Sequence, residues 1–159
     1  MHEYLINLYF PFLQNLNTID VHAATLVNLI ENTNRCLTAE ASISSLNHTN
    51  DENKRIIRAI YQNCPTLKYL KLFLKNKNIS ELEKLLISCQ DLNGLNGDFD
   101  DDFEWVNYLF KVLSKSSPTF FKSKFTFYKL FELKSLKLFL DSCSSSKKNK
   151  KIFSFFNYI

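Results

Sequence analysis

The sequence predicts an α/β fold: a leucine-rich-repeat-like solenoid of about five strand–helix units that share one parallel sheet. Three observations carry this. Cys64-Pro-Thr-Leu67-Lys-Tyr-Leu70 and Cys89-Gln-Asp-Leu92-Asn-Gly-Leu95 are one pattern written twice, and the interval from Cys64 to Cys89 is that of a leucine-rich unit. The helical residues before it repeat in the same register, with Ile57, Ile60, Tyr61 and Cys64 mapping onto Leu82, Leu85, Leu86 and Cys89. Finally, 2 Gly and 3 Pro in a chain that is 45% hydrophobic describe a globular protein with few tight turns, which argues against hairpin-built sandwiches and barrels.

Weaker copies extend the repeat in both directions. Ser117-Pro118-Thr119-Phe120 has the cadence of Cys64-Pro65-Thr66-Leu67 and follows Cys89 at a slightly longer interval. Asn34-Arg35-Cys36-Leu37 places the small polar Asn34 in the anchor slot ahead of Cys64, and this is the longest step in the series. The stretch Leu13–Val21 reads as a further unit, one shorter step earlier. A loop at Ser44–Asn50 accounts for the longest step.

Each unit then supplies a strand and a helix. Strands are expected at Thr18–Val21, Leu37–Ile43, Tyr69–Leu74, Leu92–Gly97 and Phe120–Phe127. The first helix begins near His22 and carries Leu26, Val27 and Ile30. The second runs from Asp51 to Asn63, with two acids at its positive end and Ile56, Ile57 and Ile60 inward. The third covers Ser80–Cys89, where Ser80-Glu-Leu-Glu83 reads as a capping box and Leu82, Leu85, Leu86 and Cys89 form a helical stripe. A fourth begins near Asp101 and carries Val106, Phe110 and Leu113, and a fifth covers Leu130–Asp141. The repeat domain is expected over 1–141. Residues 142–159 form a low-complexity Ser/Lys tail, expected to be partly disordered, with an extra strand at the apolar Ile152–Phe156 as the alternative.

No enzyme is expected. His2, His22 and His48 are scattered, no nucleophile motif accompanies them, and Gly94 and Gly97 alone cannot build a phosphate-cradling loop. Neither a cofactor nor a metal is expected. Cys36, Cys64, Cys89 and Cys143 contain no Cys-x-x-Cys pair, and Cys64 and Cys89 read as reduced, buried packing groups. The acidic run Asp98–Glu104 has Phe103 where a calcium loop needs glycine and Leu109 where it needs glutamate, so it reads as a solvated loop. The net charge of +4 lies largely in Lys147, Lys148, Lys150 and Lys151, so no nucleic-acid footprint covers the body. Neither a membrane-spanning run nor a signal peptide is legible, and a cytoplasmic or nuclear location is the expectation.

A repeat stack poses the question of which surface binds. Positions flanking the inward leucines line the concave face of the sheet: Lys68, Tyr69 and Lys71, then Asn93 and Asn96, with Asp20 in the first unit and Lys122 and Lys124 in the last. Tyr69 is the strongest single contact candidate, since it offers apolar area and a hydroxyl at small entropic cost. A protein partner on this face is the expectation, and end-to-end self-association of the chain is the second.

Tyr61–Leu74, Ser80–Leu95, Leu109–Ser117 and Phe131–Leu140 resemble, in that order, segments of the fungal family of F-box-like leucine-rich-repeat proteins. The resemblance spans Leu16–Asp141. It implies an α/β solenoid that recruits substrates to an SCF-type ubiquitin ligase. Met1–Leu13 shows no F-box pattern, so the SCF adaptor is the weaker of the expected partners. A free-standing decoy binder or a self-associating repeat fragment is the alternative.

Overall fold

Residues 9–99, 106–114, 122–127 and 152–157, with Lys137 and Asp141, are described in a computed structural model. Six strands form one sheet in chain order: β1 (Asn15–Ile19), β2 (Glu40–Ser44), β3 (Tyr69–Leu74), β4 (Gly94–Phe99), β5 (Lys122–Phe127) and β6 (Ile152–Asn157). Every neighbouring pair is parallel. Parallel neighbours need a crossover, and among the described residues the crossovers contain α1 (Ala23–Glu31), α2 (Asn50–Asn63), α3 (Ile79–Ser88) and α4 (Val106–Ser114). The fold is therefore α/β, with a parallel sheet alternating with helices. Asn15, Glu40, Tyr69, Gly94, Lys122 and Ile152 share one row across the sheet, at intervals close to that from Cys64 to Cys89.

One face of the sheet is packed. Leu16, Ala41, Ile43, Leu70, Leu72, Leu74 and Leu95 belong to a continuous core with Leu26 and Ile30 of α1, Ile57 and Ile60 of α2, and Leu82 and Leu85 of α3. Strand alternation does this directly, since β3 reads exposed, buried, exposed, buried, half-buried, buried along Tyr69–Leu74.

The repeated cysteines end the helices. Cys64 caps α2 through its N–H to the Ile60 carbonyl at 2.7 Å, and Cys89 caps α3 through its N–H to the Leu85 carbonyl at 2.8 Å. In each copy the leucine that follows closes a turn: the Leu67 N–H donates to the Cys64 carbonyl and the Leu92 N–H to the Cys89 carbonyl. Each Cys-x-x-Leu thus aims the chain into its strand. The Cys89 thiol donates to the Cys64 carbonyl at 3.5 Å, stacking one unit on the next. Burial pushes both thiols up, Cys64 to about 11 and Cys89 to about 12. Cys36, Cys64 and Cys89 are all free thiols.

Several expectations are corrected. The first strand is Asn15–Ile19 rather than Thr18–Val21, and the second is Glu40–Ser44 rather than Leu37–Ile43. Pairing decides this: Leu16 and Thr18 stand opposite Ala41 and Ile43, which turns Ile19 outward at 73% exposure. Thr33, fully buried, rather than Asn34 neighbours Cys64 in the anchor column. Asn34 and Arg35 are exposed and take positive φ of 49° and 64°. The expected loop lies at 45–49, between β2 and α2, and the long step into β3 also holds an extra helical turn, since α2 has 14 residues and α3 has 10.

The capping box expected at Ser80 is not formed. A 3-10 turn at Asn76–Asn78 starts α3 earlier, so Ser80 lies inside the helix, and its N-cap Asn78 makes no side-chain cap bond. The capping box belongs to α2: the Glu52 N–H donates to Thr49 Oγ1 at 3.3 Å and the Thr49 N–H to Glu52 Oε2 at 2.8 Å. That backbone bond holds the Glu52 carboxyl below its ordinary range.

The sheet also extends past 141. Ile152–Asn157 pairs with β5 along its whole length, so this part of the expected disordered tail is the sixth strand, one more than the five units counted. Its run of Phe and Ile favours a strand over a frayed end. The Ser117 anchor, most of the acidic run (100–104) and the basic stretch Lys147–Lys151 lie outside the described residues, as does 130–141 apart from Lys137 and Asp141.

Candidate functional site

Parallel sheets are normally covered on both faces, and their strands are then apolar throughout. Here β1, β2 and β3 alternate between buried and more exposed positions, and among the described residues no element packs on the second face. That open face is the candidate site.

Its centre is β3. Tyr69, at 44% exposure, and Lys71 project from it, and the half-buried Phe73 continues the row under the Lys75 ammonium, 5.0 Å from the ring centroid. Register sets Tyr69 between Glu40 and Gly94, and Lys71 between Ser42 and Asn96. Gly94 carries no side chain, so a recess of about 290 Å³ opens beside Tyr69, lined by Glu40, Tyr69, Leu70, Lys71, Gly94 and Asn96. The turn before it is fixed by the Lys68 carbonyl, which accepts from the Asn93 N–H at 2.7 Å and the Gly94 N–H at 3.1 Å.

The candidate contact residues fall into three groups. Tyr69, Lys71 and Asn96 meet at the recess; Lys68 is exposed and Asn93 half-buried at the strand entrances beside it. Asp20 lies apart at the end of β1, in the left-handed region at φ 51°, with its N–H on the Ser44 carbonyl at 2.9 Å. Aspartate tolerates this backbone conformation well. Lys122 and Lys124 stand in register with Gly94 and Asn96, and their side chains lie outside the described residues. Glu40 and Phe73 were not anticipated. Phase alternation from Tyr69 through Lys71 points to Phe73, whereas Glu40 required the true start of β2.

The polar groups of the helix layer are engaged elsewhere. Glu81, only 2% exposed, accepts from Arg58 at 2.9 Å, Tyr61 at 3.1 Å and Lys84 at 3.3 Å. Chiefly through the Arg58 bond, its carboxyl is held down to about 2, while that bond raises Arg58 and burial raises Tyr61. Asn53 donates to the Phe73 carbonyl at 2.7 Å, and Asn78 donates to Asn53 Oδ1 at 2.9 Å and to the Asn50 carbonyl at 2.8 Å. Asn53 and Asn78 are separated by the same offset as Cys64 and Cys89, so the period itself was the signal for this buried ladder. His22 caps α1 by accepting from the Ala24 N–H at 3.3 Å. His48 Nε2–H donates to the Val21 carbonyl at 2.8 Å. Among the described residues no group of three or more His, Cys, Asp or Glu side chains is placed to hold a metal, and no helix is long and apolar enough to cross a membrane.

No family model matches the chain, and no curated protein matches it. Among solved structures the chain is similar to leiomodin-1 actin-binding site 2 (ABS2), with a TM-score of 0.66 and 15% sequence identity over 87% of this chain and 80% of that one. At this identity the likeness concerns the fold: a parallel α/β arrangement of the kind described above.

Proposed function

We propose that this chain is a non-catalytic protein–protein interaction module, a leucine-rich-repeat-like solenoid whose open sheet face meets a protein partner. The observation that carries the reading is that face: exposed Glu40, Tyr69, Lys71 and Asn96 from two neighbouring rows around a recess, on a parallel sheet whose other face is packed against helices. The described histidines are spent on backbone bonds and the two repeat cysteines are buried with raised thiols, which supports binding over catalysis. The structurally similar leiomodin-1 segment is an actin-binding site, which supports use of this fold for protein contact. In the F-box-like reading, the same face would hold a ubiquitin-ligase substrate.

Affinity capture tests this with the wild-type chain, Tyr69→Ala, Lys71→Glu and a helix-layer control, Lys54→Glu. The module reading expects a captured protein that both sheet-face variants lose and the control keeps. Loss only in the control would place the contact on the helices. Added SCF adaptor separates the finer readings: co-purification supports a ligase receptor, and its absence with a folded chain leaves a free-standing binder.

A second reading, self-association, has an observation of its own. Tyr9, Phe12 and Ile19 lie on the β1 side of the sheet, with Phe12 88% exposed, and β1 is an edge strand. Light scattering that shows a monomer at tens of micromolar removes that reading.

A further inference from the structure

We infer that a second copy of this chain pairs with the free edge of β1, antiparallel and about a two-fold axis at Asn17, so that two sheets join into one. This deepens the self-association reading above and rests on it; the partner-binding reading stands apart. The backbone of β1 defines what the edge can take. The Gln14 carbonyl accepts from the Glu40 N–H at 3.4 Å, and the Asp20 N–H donates to the Ser44 carbonyl at 2.9 Å. Alternate residues of a parallel strand bond to one neighbour, so Leu16 and Thr18 also face β2, while the N–H and C=O of Asn15, Asn17 and Ile19 face away from it. Among the described residues nothing pairs with them, since β1 is the first strand of the sheet. Such a row is a template for another strand.

Two observations name a second copy as that strand. Proteins keep sheet edges single with charges, lysine above all. In a chain that is 23% charged, no Asp, Glu, Lys or Arg stands between Glu3 and Asp20, so β1 and the segment before it carry no such guard. The opposite edge strand, β6, follows directly on Lys147, Lys148, Lys150 and Lys151. The unguarded edge therefore meets its like, and the contact closes at two copies instead of growing into a filament. The edge is also self-complementary. An axis at Asn17 sets Asn17 against its own counterpart and Asn15 against Ile19, and each such pair can exchange both N–H···O bonds. The nearest charges, the two Asp20 carboxylates, then stand at opposite ends of the pair, about 20 Å apart and beyond the Debye length. Tyr9 and Phe12, 63% and 88% exposed, add apolar surface on the same side of the sheet.

The test is sedimentation of the full chain at tens of micromolar, for the wild type, Asn17→Lys, Asn17→Glu and a mixture of the two variants. The wild type should sediment as a dimer. Either variant alone should be a monomer with the wild-type circular dichroism, because residue 17 is exposed in one copy and meets only its counterpart in the other. Mixing the variants should restore the dimer, at least about tenfold tighter than either variant alone, as opposite charges replace like ones. A dimer that neither variant disturbs overturns the β1 pairing and leaves self-association standing. Loss in both variants without rescue on mixing overturns the two-fold register. Growth beyond two copies overturns it in favour of head-to-tail stacking. A wild-type monomer overturns both the inference and the self-association reading; if Asn17→Lys then also loses the captured protein, the edge belongs to a strand of that partner.

Discussion

The two faces of β3 divide one strand into residues with opposite fates. Leu70, Leu72 and Leu74 point to the helices and are each 2% exposed, while Tyr69, Lys71 and Phe73 point away from them. The inward row is required by the stack: all three leucines belong to the continuous core that the sheet shares with the helices. The outward row meets no such requirement. A partly exposed Tyr69, a recess at Gly94 and Lys68 and Lys71, which have no carboxylate partner among the described residues, contribute little to folding, so their chemistry is free to serve a contact. In the proposed reading, stability and recognition alternate residue by residue on one strand.

The largest break in this comparison should come from the inward row. Leu70→Ala removes a fully buried side chain from the middle of the sheet and should cost about 2–5 kcal/mol, read as a lowered denaturant midpoint at unchanged slope. Next in size is the buried ion network of the helix layer. Glu81 has a folded value of about 2 against an ordinary 4.5, so its contribution is complete above the ordinary value and is lost as pH falls from 4.5 toward 2. With Arg58 and Lys84 about half exposed, the loss should be about 2 kcal/mol, and Glu81→Gln should flatten stability over that window. Unfolding midpoints at successive pH values check it.

The asparagine ladder should come third. Asn78→Ala leaves Asn53 Oδ1 and the Asn50 carbonyl without their donor inside the turn, at about 1–3 kcal/mol. The raised thiols of Cys64 and Cys89 predict slow alkylation of the native chain and fast alkylation once it is unfolded. Smallest in stability is the outward row: Tyr69→Ala should change unfolding by less than about 1 kcal/mol.

Much of this architecture is written in the spacing of residues. The offset that carries Cys64 to Cys89 also carries Ile57 to Leu82, Ile60 to Leu85 and Asn53 to Asn78, because each pair occupies one place in a stacked unit. Local cues were less decisive. Thr49-x-x-Glu52 and Ser80-x-x-Glu83 both fit a capping box, and the choice between them depends on tertiary bonds that draw Asn78 into a turn over α2. Likewise, Leu16 and Thr18 compete with Ile19 and Val21 for the inward phase of β1, and only the partners Ala41 and Ile43 resolve it. Tyr69 and Lys71 were legible at the recess because they flank repeat leucines. Glu40 was hidden, since a polar residue at a strand start resembles a loop until register is known. The same limit placed Asp20 in a row it does not share with the recess.

The claim that the packed row holds the stack while the open row recognises a partner is tested most directly by one paired measurement on Tyr69→Ala. Its denaturant midpoint and its capture of the wild-type partner should be read from the same preparation. The account predicts a midpoint near wild type together with lost capture. A variant that keeps full capture, or one that loses capture only in step with a collapsed midpoint, would contradict it.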